Sequence, residues 1–295
     1  MTGTGRGWLL LCSHLGNPDR RVLPPAQLRR LFRRVRGRET AEPERKMKEQ
    51  DLTELGYGRE MARQILSLLE EEDLLDRYLA RAKKAGCVPV TRGDPRYPKL
   101  LLQRLGPDAP GCLWVKGDPA LLNTTAIALV GSRDLAQPNR RFAQAVGSHT
   151  AGENLLLVSG NARGADRAAQ ESCLASGGRV LSIVADELDT KPHIPDLTFV
   201  SEEDFDAPFS AYRALRRNRC IHALGSMVFV AQVTAGKGGT WDGTVKNLRS
   251  GWSPVICFDD GSQGVRELEQ MGAYRILPEE IPQFSFPEKQ MNFLI

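Results

Sequence analysis

The segment Ala126-Ile127-Ala128-Leu129-Val130-Gly131-Ser132-Arg133 decides the fold. Five apolar residues end in a glycine, a hydroxyl and an arginine, and helical spacing follows over 138–151. An apolar run this short, closed by a turn signal, reads as a strand buried on both faces. The same unit recurs downstream. Residues 155–158, 180–185, 197–200, 227–231 and 255–258 are further candidate strands, and 163–175, 211–224, 241–249 and 264–271 carry helical spacing. Strands alternating with helices predict crossover connections and an α/β domain over 126–277. Its core is a doubly wound, mostly parallel Rossmann-like sheet.

Upstream, residues 1–85 read as a small helical domain. Leu28, Leu31, Phe32 and Val35 recur at i, i+3, i+4 and i+7, and residues 40–44 form a charged break. A Gly56-Tyr57-Gly58 turn inside 52–69 gives the outline helix, Gly-x-Gly, helix. Such a turn either offers amides to a DNA phosphate or simply joins two helices. Residues 86–125, punctuated by proline and glycine, read as a connector leading into the sheet. The tail 278–295 holds Phe284, Phe286 and Phe293, which read as a cover for the chain's own apolar surface or as a partner peptide.

Composition narrows the function classes. The chain has 295 residues, 41% apolar and 26% charged, enough for a core and too apolar for disorder. Its apolar runs fall short of the roughly 18–20 residues of a membrane helix and of a signal-peptide core. Six cysteines (Cys12, Cys87, Cys112, Cys173, Cys220, Cys257) lack C-x-x-C spacing, which predicts reduced thiols in a cytoplasm and no metal site. The net charge of +4 is uneven. Residues 1–38 carry nine arginines and no lysine against the single Asp19, a balance of +8 on an otherwise mildly acidic chain. That end is either a nucleic-acid footprint or the solvated face of a helix.

Three candidate strands end in loops suited to an anion: Gly131-Ser132-Arg133, Ser159-Gly160-Asn161-Ala162-Arg163-Gly164 and Ala235-Gly236-Lys237-Gly238-Gly239-Thr240. In an open parallel sheet such loops gather at the carboxyl ends of the strands, where ligands bind. Glycine amides and helix N-termini approach a phosphate, and Arg133, Arg163 and Lys237 add full charges. None of the loops has dinucleotide or P-loop spacing, so no cofactor is expected. After the second loop, Ala165, Ala168, Ala169 and Ser172 form a stripe of small residues that predicts close approach to the sheet. Asp166, in the first turn, suits either the helix dipole or a ligand role. In 211–224, Asn218 centres an apolar arc of Ala211, Ala214, Leu215, Ile221 and His222 and is expected buried and hydrogen-bonded. Arg213, Arg216 and Arg217 lie opposite, with Arg219 at the boundary. His222 reads as a satisfied, semi-buried residue rather than a base, since no nucleophile pattern accompanies it.

Ala128 to Arg133, then Val158-Ser159-Gly160-Asn161-Ala162-Arg163-Gly164-Ala165-Asp166, then Arg217-Asn218-Arg219-Cys220-Ile221 stand in an order that resembles the DNA-processing protein A family (DprA, also called Smf). The connector, with Asp94-Pro95-Arg96-Tyr97-Pro98, resembles that family's lead-in to the Rossmann domain, and the start its SAM-like helical domain. The resemblance implies single-stranded DNA binding in the crevice, homodimerisation through the Rossmann domain and loading of a RecA-type recombinase. It carries the DNA contacts to Gly131, Ser132, Arg133, Ser159, Gly160, Asn161, Arg163 and Gly164, and to Arg217 and Arg219 with Asn218 as organiser. Lys237, Gly238, Gly239 and Thr240 of the third loop join this set on their anion-binding chemistry.

The chain departs from the family pattern at several points. Ala165 replaces a β-branched residue, 186–211 lacks a Y-P-x-x-N stretch, and Lys237-Gly238-Gly239-Thr240-Trp241-Asp242 replaces a serine-rich loop. Too few residues follow 264 for a C-terminal winged helix. The altered loop also resembles that of nucleoside-monophosphate phosphoribohydrolases, whose glutamate position is Gly243 here, with Asp242 beside it. A nucleotide sensor or hydrolase in the same crevice is the alternative to a DNA cradle, which would itself have no catalytic residue.

Overall fold

The computed structural model describes residues 1–35 and 46–283; the expected break at 40–44 and the tail phenylalanines lie outside them. Five helices come first: α1 (Gly3–Cys12), α2 (Pro25–Val35), α3 (Glu49–Glu54), α4 (Arg59–Leu69) and α5 (Glu72–Lys84). β1 (Cys87–Thr91), α6 (Lys99–Leu105), β2 (Cys112–Lys116) and β3 (Ala126–Val130) lead into the alternating part. There follow α7 (Gln137–Gly152), β4 (Leu156–Ser159), α8 (Ala165–Ala175), β5 (Arg179–Ile183), β6 (Leu197–Ser201) and α9 (Ala211–Leu224). The described chain closes with β7 (Met227–Val230), α10 (Gly238–Ser250), β8 (Val255–Phe258), α11 (Gln263–Gln270), β9 (Tyr274–Ile276) and a 3-10 turn at Pro278–Gln283.

Among the described residues, nine strands form one sheet in the order β1-β2-β6-β5-β4-β3-β7-β8-β9. β1 runs antiparallel to β2, and β2 to β6; every other pairing is parallel. The expected doubly wound, Rossmann-like sheet is present. The stretch 86–125 does more than connect, because it supplies β1 and β2. Pro89 argues against a strand, since proline cannot donate to a ladder, but β1 is an edge strand, where that loss is tolerated.

Side chains alternate between the two faces of the sheet, and each face has its own core. Ile127, Leu129, Leu157, Phe199, Phe229 and Ile256 pack with Phe142 and Val146 of α7 and Ala165, Ala168 and Ala169 of α8. Ala128, Val130, Val158, Ile183, Val228 and Cys257 face the other way, against Leu101 of α6, Cys220 and Ile221 of α9 and Leu268 of α11. The stripe of small residues on α8 serves a neighbour besides the sheet. Gly147 of α7 lies so close that a Cβ there would stand 2.2 Å from the carbonyl oxygen of Ala169, and Ser172 donates to the Gln144 carbonyl at 2.8 Å.

α1 joins the helical segment to the sheet. Leu9 and Leu10 enter the first core, while Leu11 enters a third, with Leu31, Leu52, Tyr57, Ala62 and Ile65 of the following helices. Arg20 is buried here. Its guanidinium donates to the carbonyls of Ser13 (2.5 Å) and Leu10 (2.6 Å) and pairs with Glu71 (2.5 Å). At least this one of the nine N-terminal arginines is therefore structural.

Gly147→Ala is expected to force α7 and α8 apart and to lower stability by about 1–3 kcal/mol, the usual range for overpacking a close contact. Urea unfolding measures it; an unchanged midpoint would show that the helices adjust freely.

Candidate functional site

β3 lies between β4 and β7. The chain leaves β3 toward β4, β5 and β6 on one side and resumes on the other with β7, β8 and β9. The loops after β3 and β7 therefore diverge, and a crevice opens at the reversal of strand order. Its volume is about 530 Å3, and it is lined by Gly131, Ser132, Arg133, Asp166, Arg217, Asn218, Lys237, Gly238, Gly239 and Thr240. Nine of the fifteen expected site residues meet there.

The second loop supports this crevice from behind. Gly164 has φ +91°, and a Cβ there would lie 2.4 Å from the carbonyl oxygens of Ser132 and Arg133, so only glycine lets the two loops touch. The Ala165 amide donates to the Ser132 carbonyl at 3.1 Å. Asn161 takes the left-handed conformation (φ +59°) that asparagine tolerates. Ser159, Gly160 and Gly164 are buried and do not line the crevice. Arg163 projects into solvent outside it and pairs with Asp134 at 2.8 Å. Gln232, which sequence reasoning passed over, fastens the first loop. It accepts from the Ser132 amide through its carbonyl (3.0 Å) and from the Ala136 amide through Oε1 (2.9 Å), and its Nε2 donates to the Asp134 carbonyl (3.1 Å). Its position just beyond a central strand was the available signal.

The three residues Arg217, Asn218 and Arg219 go to different places. The Arg217 guanidinium lies flat on Gly160, where a Cβ would meet Nη1 at 2.2 Å. Nη1 donates to the carbonyls of Gly160 (2.5 Å) and Ile183. Burial lowers the pKa of Arg217, and the nearby Asp166 charge opposes that shift. Asp166 accepts from the Ala162 amide at 3.1 Å; burial raises its carboxyl above the usual range, against the pull of Arg217. Arg217 is among the residues lining the crevice, and its Nε is buried without a hydrogen-bond partner among the described residues. Asn218 is half-buried, and its Nδ2 donates to the Gly239 carbonyl at 3.0 Å, tying α9 to the third loop. The apolar arc around it is core only in its second half. Ala211 and Leu215 are exposed, and Leu215 and Ala214 form crevice wall. Arg219, expected beside Arg217, is about 200° further round the helix. It turns away from the crevice to pair with Glu202 and to donate to the Asp108 carbonyl.

What remains free in the crevice is basic. Arg133 and Lys237 are exposed on opposite loops. α10 begins at Lys237 with no side-chain cap and no acid in its first turn, so its first amides and its dipole are available to an anion.

The carboxylate that hydrolase chemistry would require is not placed for it. Gly243 packs against His222, and a Cβ there would stand 3.0 Å from Nε2, so a side chain at this position would have to push the buried imidazole aside. Asp242 pairs with Lys246 at 2.8 Å and lines a second cleft, of about 920 Å3, on the far side of Leu215. His222 is fully buried, not semi-buried as expected, and neither ring nitrogen has a hydrogen-bond partner among the described residues. Burial pushes its pKa down to about 4, so it is neutral near pH 7. The described residues contain no cluster suited to a metal ion and no helix long and apolar enough to cross a membrane.

Fold and site together define a doubly wound α/β protein with a crevice lined by basic residues at its strand-order switch. The family profile of DNA recombination-mediator protein A matches residues 89–283, and the chain belongs to that family. Protein Smf of Escherichia coli is 30% identical over 200 residues, a match covering 63% of this chain and 53% of that protein. The chain thus spans about half the length of that relative. The fold is shared with the X-ray structure of DNA processing protein A from Streptococcus pneumoniae, with a TM-score of 0.61 at 23% identity over 90% of this chain and 99% of that one. It is shared too with DNA processing protein A from Helicobacter pylori, whose structure describes a single-stranded DNA binding mode. There the TM-score is 0.56 at 22% identity, over 67% of this chain and 94% of that one.

Arg217→Met is expected to strand two buried carbonyls and remove the charge beside Asp166, lowering stability by about 2–4 kcal/mol in urea unfolding. A change below about 0.5 kcal/mol, the level of ordinary surface substitutions, would mean the guanidinium is not structural. His222 gives a second test. Its folded pKa is depressed, so the unfolded chain takes the proton first. Its contribution is complete above pH 6.5 and is lost as pH falls toward about 4, amounting to about 3 kcal/mol. Chemical unfolding across that window is expected to lose this slope in His222→Leu; an identical slope would assign it to other groups.

Proposed function

We propose that the crevice holds the phosphate backbone of single-stranded DNA, and that the chain acts in DNA processing and recombination as a binding protein rather than an enzyme. The observation that carries this reading is the gathering of exposed Arg133, exposed Lys237 and the uncapped start of α10 around one crevice. Backbone contacts of this kind hold DNA without reading its sequence. Tyr212, 70% exposed in the first turn of α9 where it lines the second cleft, and Phe209, 56% exposed just before that helix, offer rings on which bases can stack. Arg163, exposed outside the crevice, becomes a further phosphate contact once it exchanges Asp134 for DNA. Arg217 and Arg219 act indirectly, by holding the loops and α9 in place.

Family membership and the single-stranded DNA binding of the Helicobacter pylori protein support this reading. It extends to a cytoplasmic homodimer formed through the Rossmann-like domain, where Met271, Tyr274 and Leu277 expose apolar surface around the edge strand β9. It also extends to handing the strand to a RecA-type recombinase. The nucleotide-hydrolase alternative is disfavoured by Gly243 packed on His222 and by Asp242 facing the other cleft.

Titration with oligothymidylate at several salt concentrations tests the proposal. Binding is expected to weaken with log K falling by about 0.7 per phosphate contact for each unit of log[salt]. Arg133→Ala and Lys237→Ala should each lower affinity and reduce that slope by about 0.7, with the melting temperature unchanged. Absence of binding at low salt overturns the reading. Release of free base from a nucleoside monophosphate, abolished by Asp242→Asn, would favour the hydrolase instead.

A further inference from the structure

The Gly56-Tyr57-Gly58 turn is open, on sequence, between a phosphate-binding hairpin and a plain joint. In the structure, arginines gather on it. The guanidinium carbons of Arg34 and Arg30 lie 4.7 and 5.5 Å from the centroid of the Tyr57 ring. The Arg34 guanidinium packs on the turn itself, 3.3 Å from where a Cβ on Gly56 would stand. Its Nη1 is buried with no hydrogen-bond partner among the described residues. α4 starts at Gly58 without a side-chain cap, and Arg59 is exposed at its first position. Arg33, also exposed, stands one turn along α2 from Arg29. Of the acids nearby, Glu49 is engaged by Arg63 at 3.9 Å and Asp51 accepts from the Lys48 amide at 2.7 Å; Glu60 is exposed.

This surface lies across the second cleft from α9. Arg29 of α2 pairs with Asp108 at 2.5 Å, and the Asp108 carbonyl accepts from Arg219. Leu215 belongs to both the cleft and the DNA crevice, so it forms the ridge between them. Most of the basic groups lining the cleft face a carboxylate: Arg216 pairs with Glu203 at 3.0 Å, Arg219 with Glu202 and Lys246 with Asp242, while Arg92 and Arg104 donate to backbone carbonyls. The paired charges leave the cleft little net attraction, and exposed positive charge lies beyond it at α2 and the turn.

The geometry points to a second phosphate-binding surface on the N-terminal helices. Arg30, Arg33, Arg34 and Arg59 make it around the Gly56-Tyr57-Gly58 turn, and it takes the single strand that leaves the crevice over Leu215. This inference rests on the reading of the crevice as a DNA site. Guanidinium groups and first-turn amides grip phosphates independently of sequence, and a strand held at two separated points binds with the gain of a tethered pair.

The test compares the full chain with Arg30→Gln/Arg33→Gln/Arg59→Gln on oligothymidylates of about 10 and about 40 nucleotides, the shorter within the reach of one binding groove. The variant should bind the short strand like the unaltered protein. On the long strand it should bind about tenfold or more weaker, with a salt slope reduced by about 2, three contacts at 0.7 each. Equal affinity and slope on the long strand overturn the proposal, and so does equal weakening on both lengths. Loss confined to a duplex of the same length also overturns it, since the surface would then serve double-stranded DNA. Glu60→Lys covers the case in which the triple variant fails to fold; it should tighten the long strand alone, and no gain counts against the surface. Failure of the crevice reading looks different, because Arg133→Ala would then leave short-strand binding unchanged.

Discussion

The Arg217 guanidinium, lying on Gly160 and bonded to the carbonyls of Gly160 and Ile183, is the interaction on which the site depends. It joins α9 to the ends of two parallel strands, β4 and β5, at the level where their loops begin. Two strand-end carbonyls gain a donor, and the positive charge is kept near Asp166 in a place where either charge alone would be costly. The second loop then presses Gly164 against the first, and the crevice acquires a firm rear wall.

A firm wall matters because the exposed cations that face the crevice are few. Most arginines near the site are already engaged, either by carbonyl oxygens or by carboxylates. Arg92 and Arg104 donate to backbone carbonyls, and Arg216 and Arg219 face Glu203 and Glu202. At the crevice, exposed positive charge is left on Arg133 and Lys237 beside the start of α10, and exposed arginines stand again over the Tyr57 turn. The overall charge of +4 therefore says little about where a polyanion would lie. The pairing pattern says much more, since paired charges attract a distant phosphate only weakly.

Leu215 and the residues around it illustrate how one helix serves two spaces. The exposed first half of α9 forms the ridge between crevice and cleft, and its buried second half packs into the core. Asn218 sits at the junction, bonded to Gly239, so movement of α9 is transmitted to the third loop.

The alternation of apolar runs and helical spacing from Ala126 onward determined the doubly wound sheet, because a strand buried on both faces can be met only by crossover helices. The glycine loops were legible too, since strand ends and glycine spacing are local properties. Other features depended on partners distant in the chain. β1 escaped notice because Pro89 is acceptable only at an edge, and being an edge is a property of the whole sheet. Helical spacing put Arg217 opposite the apolar arc and Arg219 at its boundary; the carbonyls at Gly160 and Ile183 instead draw Arg217 into the interior. His222 lost its expected partners, and Asp242 its place at the crevice, to the packing of α10 on α9. Which charges are free and which are spent is decided by side chains meeting across 17 to 111 residues of chain, as Arg219 meets Glu202 and Asp108, and no local pattern records such a meeting.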